Sequence, residues 1–116
     1  MVNDYESASK GYVARFGNIY VEIANTSMEP TLSPGDVIVC KEVDPNTLAV
    51  GDIILYWSFT SGVGELNAHR IYAIYDVGDR YLFVTKGDNN MHPDRSAISE
   101  EYIVGKYERK AFLGLV

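Results

Sequence analysis

One cysteine is all that this 116-residue chain has. No disulfide can form within it, so its core must hold without covalent staples. One Cys and two His are also too few for a structural zinc site of the finger kind. Cys40 lies in the apolar stretch Val37-Ile38-Val39-Cys40 and reads as a small core residue, not a nucleophile. Long hydrophobic runs are missing too. The longest are five residues, such as Ile53-Ile54-Leu55-Tyr56-Trp57, whereas a membrane-spanning helix takes about 20. Positive charge is scarce: 10 Lys and Arg stand against 16 Asp and Glu, a net charge of −6. Lys41, Arg70, Lys86, Arg95 and Arg109 are scattered, which argues against nucleic acid as a partner, since phosphate binding needs a basic face. There is no linker, repeat or low-complexity segment, and the length suits one domain.

What is present is a set of short apolar runs with period near two. Ile19-Tyr20-Val21-Glu22-Ile23 alternates, while Val37–Cys40 and Ile53–Trp57 are continuous and suit buried strands. His69–Tyr75 and Tyr81–Val84 are rich in aromatic and branched residues, and 104–113 reads as a last strand. Gly-Asp recurs at Gly35-Asp36, Gly51-Asp52, Gly78-Asp79 and Gly87-Asp88, each read as a turn entering a strand. The expected fold is mainly β, a small antiparallel barrel or sandwich with little helix. Single turns are expected at Met28-Glu29-Pro30 and at Ser99–Tyr102. Residues 1–10 are expected to be a flexible segment and 11–116 one catalytic domain.

Three places carry chemistry. In Asn25-Thr26-Ser27-Met28-Glu29-Pro30, a strand ends on a serine whose Oγ can be exposed beside free backbone N–H groups. Taken alone, Ser27 is equally a turn or cap residue. His69 opens a strand, where a lone histidine is as easily structural. The polar stretch from Lys86 to Arg95 holds Asp88 and Asp94 with His92 between them, and is equally a solvated loop. Serine, histidine and aspartate in distinct loop and strand contexts are compatible with a Ser-His-Asp device, but triads occur in several chain orders.

The ordered set Ser27-Met28-Glu29-Pro30-Thr31-Leu32, Gly35-Asp36, Gly51-Asp52-Ile53-Ile54, His69-Arg70-Ile71, Thr85-Lys86-Gly87-Asp88-Asn89-Asn90 with Asp94, and Val104-Gly105-Lys106 resembles type I signal peptidases of the endoplasmic-reticulum and archaeal kind. The blocks cover roughly residues 20–114 and are specific as a set, not singly. Ser-Met-x-Pro is shared with bacterial-type signal peptidases and self-cleaving repressors, which use a lysine base. His69-Arg70 and the Gly-Asp-Asn-Asn box mark the histidine branch.

The resemblance implies Ser27 as nucleophile, His69 as general base, Asp94 as the triad acid and Asp88 as a second aspartate of the box. It leaves open which of the two orients His69. Where the family commonly has Ser-Gly-Ser-Met, this chain has Asn25-Thr26-Ser27-Met28, so the Asn25 amide is the expected oxyanion donor, unless it caps a turn. No cofactor or metal is implied. The implied substrate is the signal peptide of a preprotein, bound as an added strand and cut after small residues as in Ala-x-Ala. The expected docking strands are Tyr20–Asn25 and Asn67–Ile71. Trp57 and Phe59 fit a membrane interface, core packing or a substrate pocket. Further implications are a cell-membrane location with the domain on the extracytoplasmic or lumenal side, possible partner subunits, and flanking membrane segments outside this chain. The apolar tail 111–116 reads as the edge of something longer. Two alternatives differ in kind: a soluble self-cleaving repressor-like domain, disfavoured because no Ala-Gly or Cys-Gly pair exists, and an inactive β module that only binds.

Overall fold

A computed structural model describes residues 12–59, 62 and 64–111. The segment 1–10 and the tail beyond Ala111 lie outside the described residues.

Eight strands form one antiparallel sheet: β1 (Val13–Arg15), β2 (Asn18–Glu22), β3 (Val37–Lys41), β4 (Ile53–Ser58), β5 (Glu65–Asp76), β6 (Tyr81–Lys86), β7 (Ile98–Ser99) and β8 (Ile103–Lys110). Their order across the sheet is β1-β2-β3-β8-β4-β5-β6-β7. The mainly β expectation holds. Helix among the described residues amounts to two 3-10 turns, Pro45–Thr47 and Glu100–Tyr102. Met28 opens one further turn, closed by the Leu32 N–H on the Met28 carbonyl at 2.9 Å. The short strands β1 and β7 escaped sequence reading because two or three residues carry no measurable period.

β4 explains why its sequence is a continuous apolar run. It lies between β8 and β5 and is buried on both faces. Ile53 and Leu55 enter one core cluster with Ile19, Ile23, Met28, Leu32, Ile38 and Cys40. Ile54 and Tyr56 enter a second with Leu48, Ile71, Phe83 and Ile98. A strand covered on both faces needs apolar residues at every position. Cys40 is fully buried in the first cluster, and burial pushes its thiol up to about 12, consistent with packing and not nucleophilic chemistry.

Gly35, Gly51 and Gly78 take positive φ and lead into β3, β4 and β6, as the Gly-Asp pattern predicts. Gly87-Asp88 is the exception and a correction. It follows β6 instead of entering a strand, and Gly87 has a different task, described below.

Candidate active site

β5 carries the first part of the site. His69 pairs with Ile54 of β4, and Arg70 with Ile53. Successive side chains alternate faces, so His69 lies on the Ile54–Tyr56 side and Arg70 on the opposite one. The other two segments arrive from loops. Residues 25–32 follow β2, and residues 87–95 follow β6. The two loops are tied together: the Asn89 N–H donates to the Ser27 carbonyl at 2.9 Å, and Asn89 Nδ2 donates to the Thr26 carbonyl at 3.1 Å.

These ties bring Ser27, His69 and Asp94 into one hydrogen-bonded chain. Ser27 Oγ lies 3.0 Å from His69 Nε2, and His69 Nδ1 lies 2.6 Å from Asp94 Oδ2. A carboxylate only accepts, so the Nδ1 proton points at Asp94, and in the neutral ring Nε2 then turns its lone pair toward Ser27. The pair is sheltered, with His69 and Asp94 side chains 12% and 27% exposed.

Asp94 has two further neighbours that sequence reasoning missed. Thr85 Oγ1 donates to Asp94 Oδ2 at 2.6 Å. The Tyr56 hydroxyl is 3.3 Å from the same oxygen and 3.1 Å from Thr85 Oγ1. Burial alone would raise the Asp94 carboxyl, but hydrogen bonds from His69 and Thr85 outweigh it and hold it below its ordinary value. Burial raises the Tyr56 phenol, which therefore stays a neutral donor. The signal was available: Thr85 shares the parity of buried Phe83, and a buried hydroxyl needs a partner.

Asp88 lies apart from this chain. Its carboxylate takes a bidentate pair from Arg70, Nε to Oδ1 at 2.9 Å and the terminal guanidinium nitrogen to Oδ2 at 2.8 Å. Thr31 Oγ1 donates to Asp88 Oδ2 at 2.6 Å. The Arg70 hydrogen bonds hold the Asp88 carboxyl below its usual range against the opposing effect of burial. Asp88 thereby joins β5, next to His69, to the loop that carries Ser27. His92 is exposed.

Asn25 turns its carbonyl end to Ser27. Its Oδ1 accepts from the Ser27 N–H at 3.1 Å and from Ser27 Oγ at 2.8 Å. This is an Asx turn; the donor expected for an oxyanion is the other end of the same amide.

The two stretches expected to dock a substrate each have residues beside this site and residues whose edges are already paired. Tyr20 is already paired to Val13 and Val39, and Arg70 and Ile71 are paired to Lys86 and Thr85. β6 pairs with β5 only from Arg70 onward, so residues 65–69 have no paired strand on that edge. A slot of about 70 Å³ lies between this edge and residues 21–28, walled by Ala24, Met28, Leu55 and Ala68 beside Ser27. A second cavity, of about 650 Å³, adjoins His69 and Asp94 and is rimmed by Trp57, Phe59 and Tyr102. Among the described residues, no group of three His, Cys, Asp or Glu is placed to hold a metal ion.

No family model and no solved structure matches the chain. It is similar to "Signal peptidase I W" of Bacillus subtilis (strain 168), 37% identical over 101 residues, 86% of this chain and 52% of that protein. It is also similar to "Signal peptidase complex catalytic subunit SEC11" of Metarhizium acridum, 31% identical over 83% of this chain and 54% of that protein. The protein of the same name from Scheffersomyces stipitis is 31% identical over 74% of this chain and 50% of its own length. The chain thus spans about half the length of the curated relatives it matches.

Proposed function

The chain belongs to the type I signal peptidase family, and we propose that it is the catalytic part of a serine endopeptidase that removes signal peptides from preproteins. The observation that carries the reading is the chain Ser27 Oγ–His69 Nε2–Nδ1–Asp94, at 3.0 and 2.6 Å.

In this reading, His69 Nε2 takes the Ser27 proton as Oγ attacks the scissile carbonyl, forming a tetrahedral adduct. The same nitrogen returns the proton to the leaving amine, and water then releases the acyl group by the reverse sequence. Asp94 fixes the tautomer of His69 and stabilises its charged form. Asp88 acts at one remove, through Arg70 and Thr31, on the placement of both partners. Asn25 supplies the oxyanion donor by a half-turn of its amide that exchanges Oδ1 for Nδ2. The same half-turn frees the Ser27 N–H, which then points at the oxyanion as a second donor.

The substrate lies extended between residues 21–25 and the open 65–69 edge, its backbone completing the sheet. The small slot beside Ser27, walled by Ala24 and Ala68, accepts alanine-sized residues and supports cleavage after Ala-x-Ala. A membrane location on the extracytoplasmic or lumenal side follows from the substrate. The relatives named as catalytic subunits of a signal peptidase complex support partner subunits. Among the described residues, no helix is long and apolar enough to cross a membrane.

The test is cleavage of a signal-peptide substrate in detergent by the chain, beside Ser27→Ala and His69→Ala. Cleavage after a small residue, abolished in both variants, is expected. Undiminished cleavage by His69→Ala sinks the assignment of the base.

A further inference from the structure

The 650 Å³ cavity beside His69 has no part in the mechanism above, and its size is that of a ligand pocket. Its position relative to the 70 Å³ slot is set by the alternation of β5. Leu66 and Ala68 face the slot. Glu65 and His69 face the cavity. Asn67 borders both. The open edge of β5 therefore has a narrow recess on one side and a wide one on the other.

We propose that the wide cavity is a specificity pocket for the residue between the two small ones, favouring a large apolar or aromatic side chain there. The inference rests on the reading of the site given above and deepens it. A strand added to the 65–69 edge alternates its side chains in step with β5. Two small residues, two positions apart, share the narrow slot. The residue between them turns the opposite way, onto the side of Glu65 and His69. That is the position which an Ala-x-Ala rule leaves unspecified.

The walls choose the chemistry. Trp57, Phe59, Tyr102, Ile98 and Pro93 give the cavity an apolar and aromatic lining. Phe59 and Tyr102 meet at a tilt of 58° with centroids 5.5 Å apart, yet both stay exposed, Phe59 at 53% and Tyr102 at 42%. Large rings held at a cavity mouth lose that exposure when an apolar side chain enters. Glu65, Asp94 and Arg95 put charge of both signs in the lining, and Asp94 is already bound by His69 and Thr85, so neither an acidic nor a basic side chain is favoured outright.

The experiment uses peptides differing only at X in Ala-X-Ala, with X as Gly, Ala, Leu, Phe or Trp. Binding and cleavage are read separately. Affinity for the Ser27→Ala protein is followed by the emission of Trp57, the sole tryptophan and itself in the cavity wall, with the Trp peptide followed by calorimetry. The active chain supplies kcat/KM. Affinity and kcat/KM are expected to rise about tenfold from Ala to Phe, with a change in Trp57 emission for Leu and Phe. Ala97→Phe, which adds a ring at an exposed wall position, is expected to bring the Phe-to-Ala ratio close to one. Equal affinity across the series overturns the proposal. So does an Ala97→Phe protein that keeps the full ratio. X-dependent binding without cleavage upholds the pocket and overturns only the proposed activity.

Discussion

Gly87 passes so close to Ser27 that a Cβ on it would stand 2.5 Å from the Ser27 carbonyl oxygen and 2.7 Å from Asn90 Nδ2. The same carbonyl takes the Asn89 N–H at 2.9 Å. The loop leaving β6 is thus pressed against the backbone of the serine, and only glycine fits. Gly87→Ala must push the two loops apart. The expected result is a fall in kcat of about 10²-fold, since small misplacements of reacting groups cost that much. The accompanying loss of stability is about 1–3 kcal/mol, the usual cost of overpacking. Peptide turnover and urea unfolding of the same variant read both effects.

Asp94 and Asp88 separate on two readouts. Asp94 touches His69; Asp88 touches Arg70 and Thr31. Asp94→Asn is expected to lower kcat by about 10⁴-fold through the wrong imidazole tautomer, with the unfolding midpoint little changed. Asp88→Asn breaks a bidentate charge pair and is expected to cost about 1–2 kcal/mol of stability, discounted for the half-exposed Arg70. Its effect on kcat should be the smaller of the two. The reverse pattern would exchange their roles.

Acid sensitivity follows from the same pair. Hydrogen bonds from Arg70 lower the Asp88 carboxyl in the folded protein. The folded state therefore binds the proton less readily than the unfolded chain. The contribution is complete above the ordinary carboxylate value of about 4 and is lost as pH falls through the lower folded value. Between wild type and Asp88→Asn, the gap in unfolding midpoint should be constant from about pH 7 to 5 and close below about pH 4. A gap that stays constant into acid would contradict the pairing.

The strands were legible because β4 and β5 carry strong local signals: four successive buried apolar residues in one, branched and aromatic residues in the other. The site was legible only as separate pieces. Ser27, His69 and Asp94 are 42 and 25 residues apart, and periodicity says nothing about contacts across such distances. Their joining came from motif resemblance, and their distances from the fold. Tyr56 and Thr85 were hidden for another reason. Each sits in a strand where its type is unremarkable, and its hydroxyl acquires a task only once β4, β6 and the 93–95 segment meet. Gly87 misled because Gly-Asp usually means a turn, whereas here the glycine serves a close approach.

Thr85 should act on Asp94 without touching substrate. It is fully buried and donates to Asp94 Oδ2 at 2.6 Å. Thr85→Val keeps the shape and removes that donor. The Asp94 carboxyl is then expected to titrate at higher pH, because burial, which raises it, loses one of its main opponents. The shift is visible in the carboxyl-carbon resonance of Asp94. A smaller fall in kcat, about tenfold, should accompany it, as is usual for a partner that positions a catalytic group. Tyr56→Phe should move the same resonance less, since its hydroxyl is 3.3 Å away.

Asn25 sets the last test. At rest its Oδ1 accepts from both the N–H and the Oγ of Ser27, and Ser27 Oγ is also 3.0 Å from His69 Nε2. The hydroxyl has one proton and two acceptors, so Asn25 competes with His69 for it. In the proposed mechanism the amide therefore turns, which removes the rival acceptor and presents Nδ2 to the developing oxyanion. Loss of that donor should outweigh loss of the competition, because the donor acts on charge that forms only in the transition state. Asn25→Ala is expected to lower kcat by about 10²-fold with KM little changed. A kcat that is unchanged or raised would mean that Asn25 only caps the turn and restrains the serine.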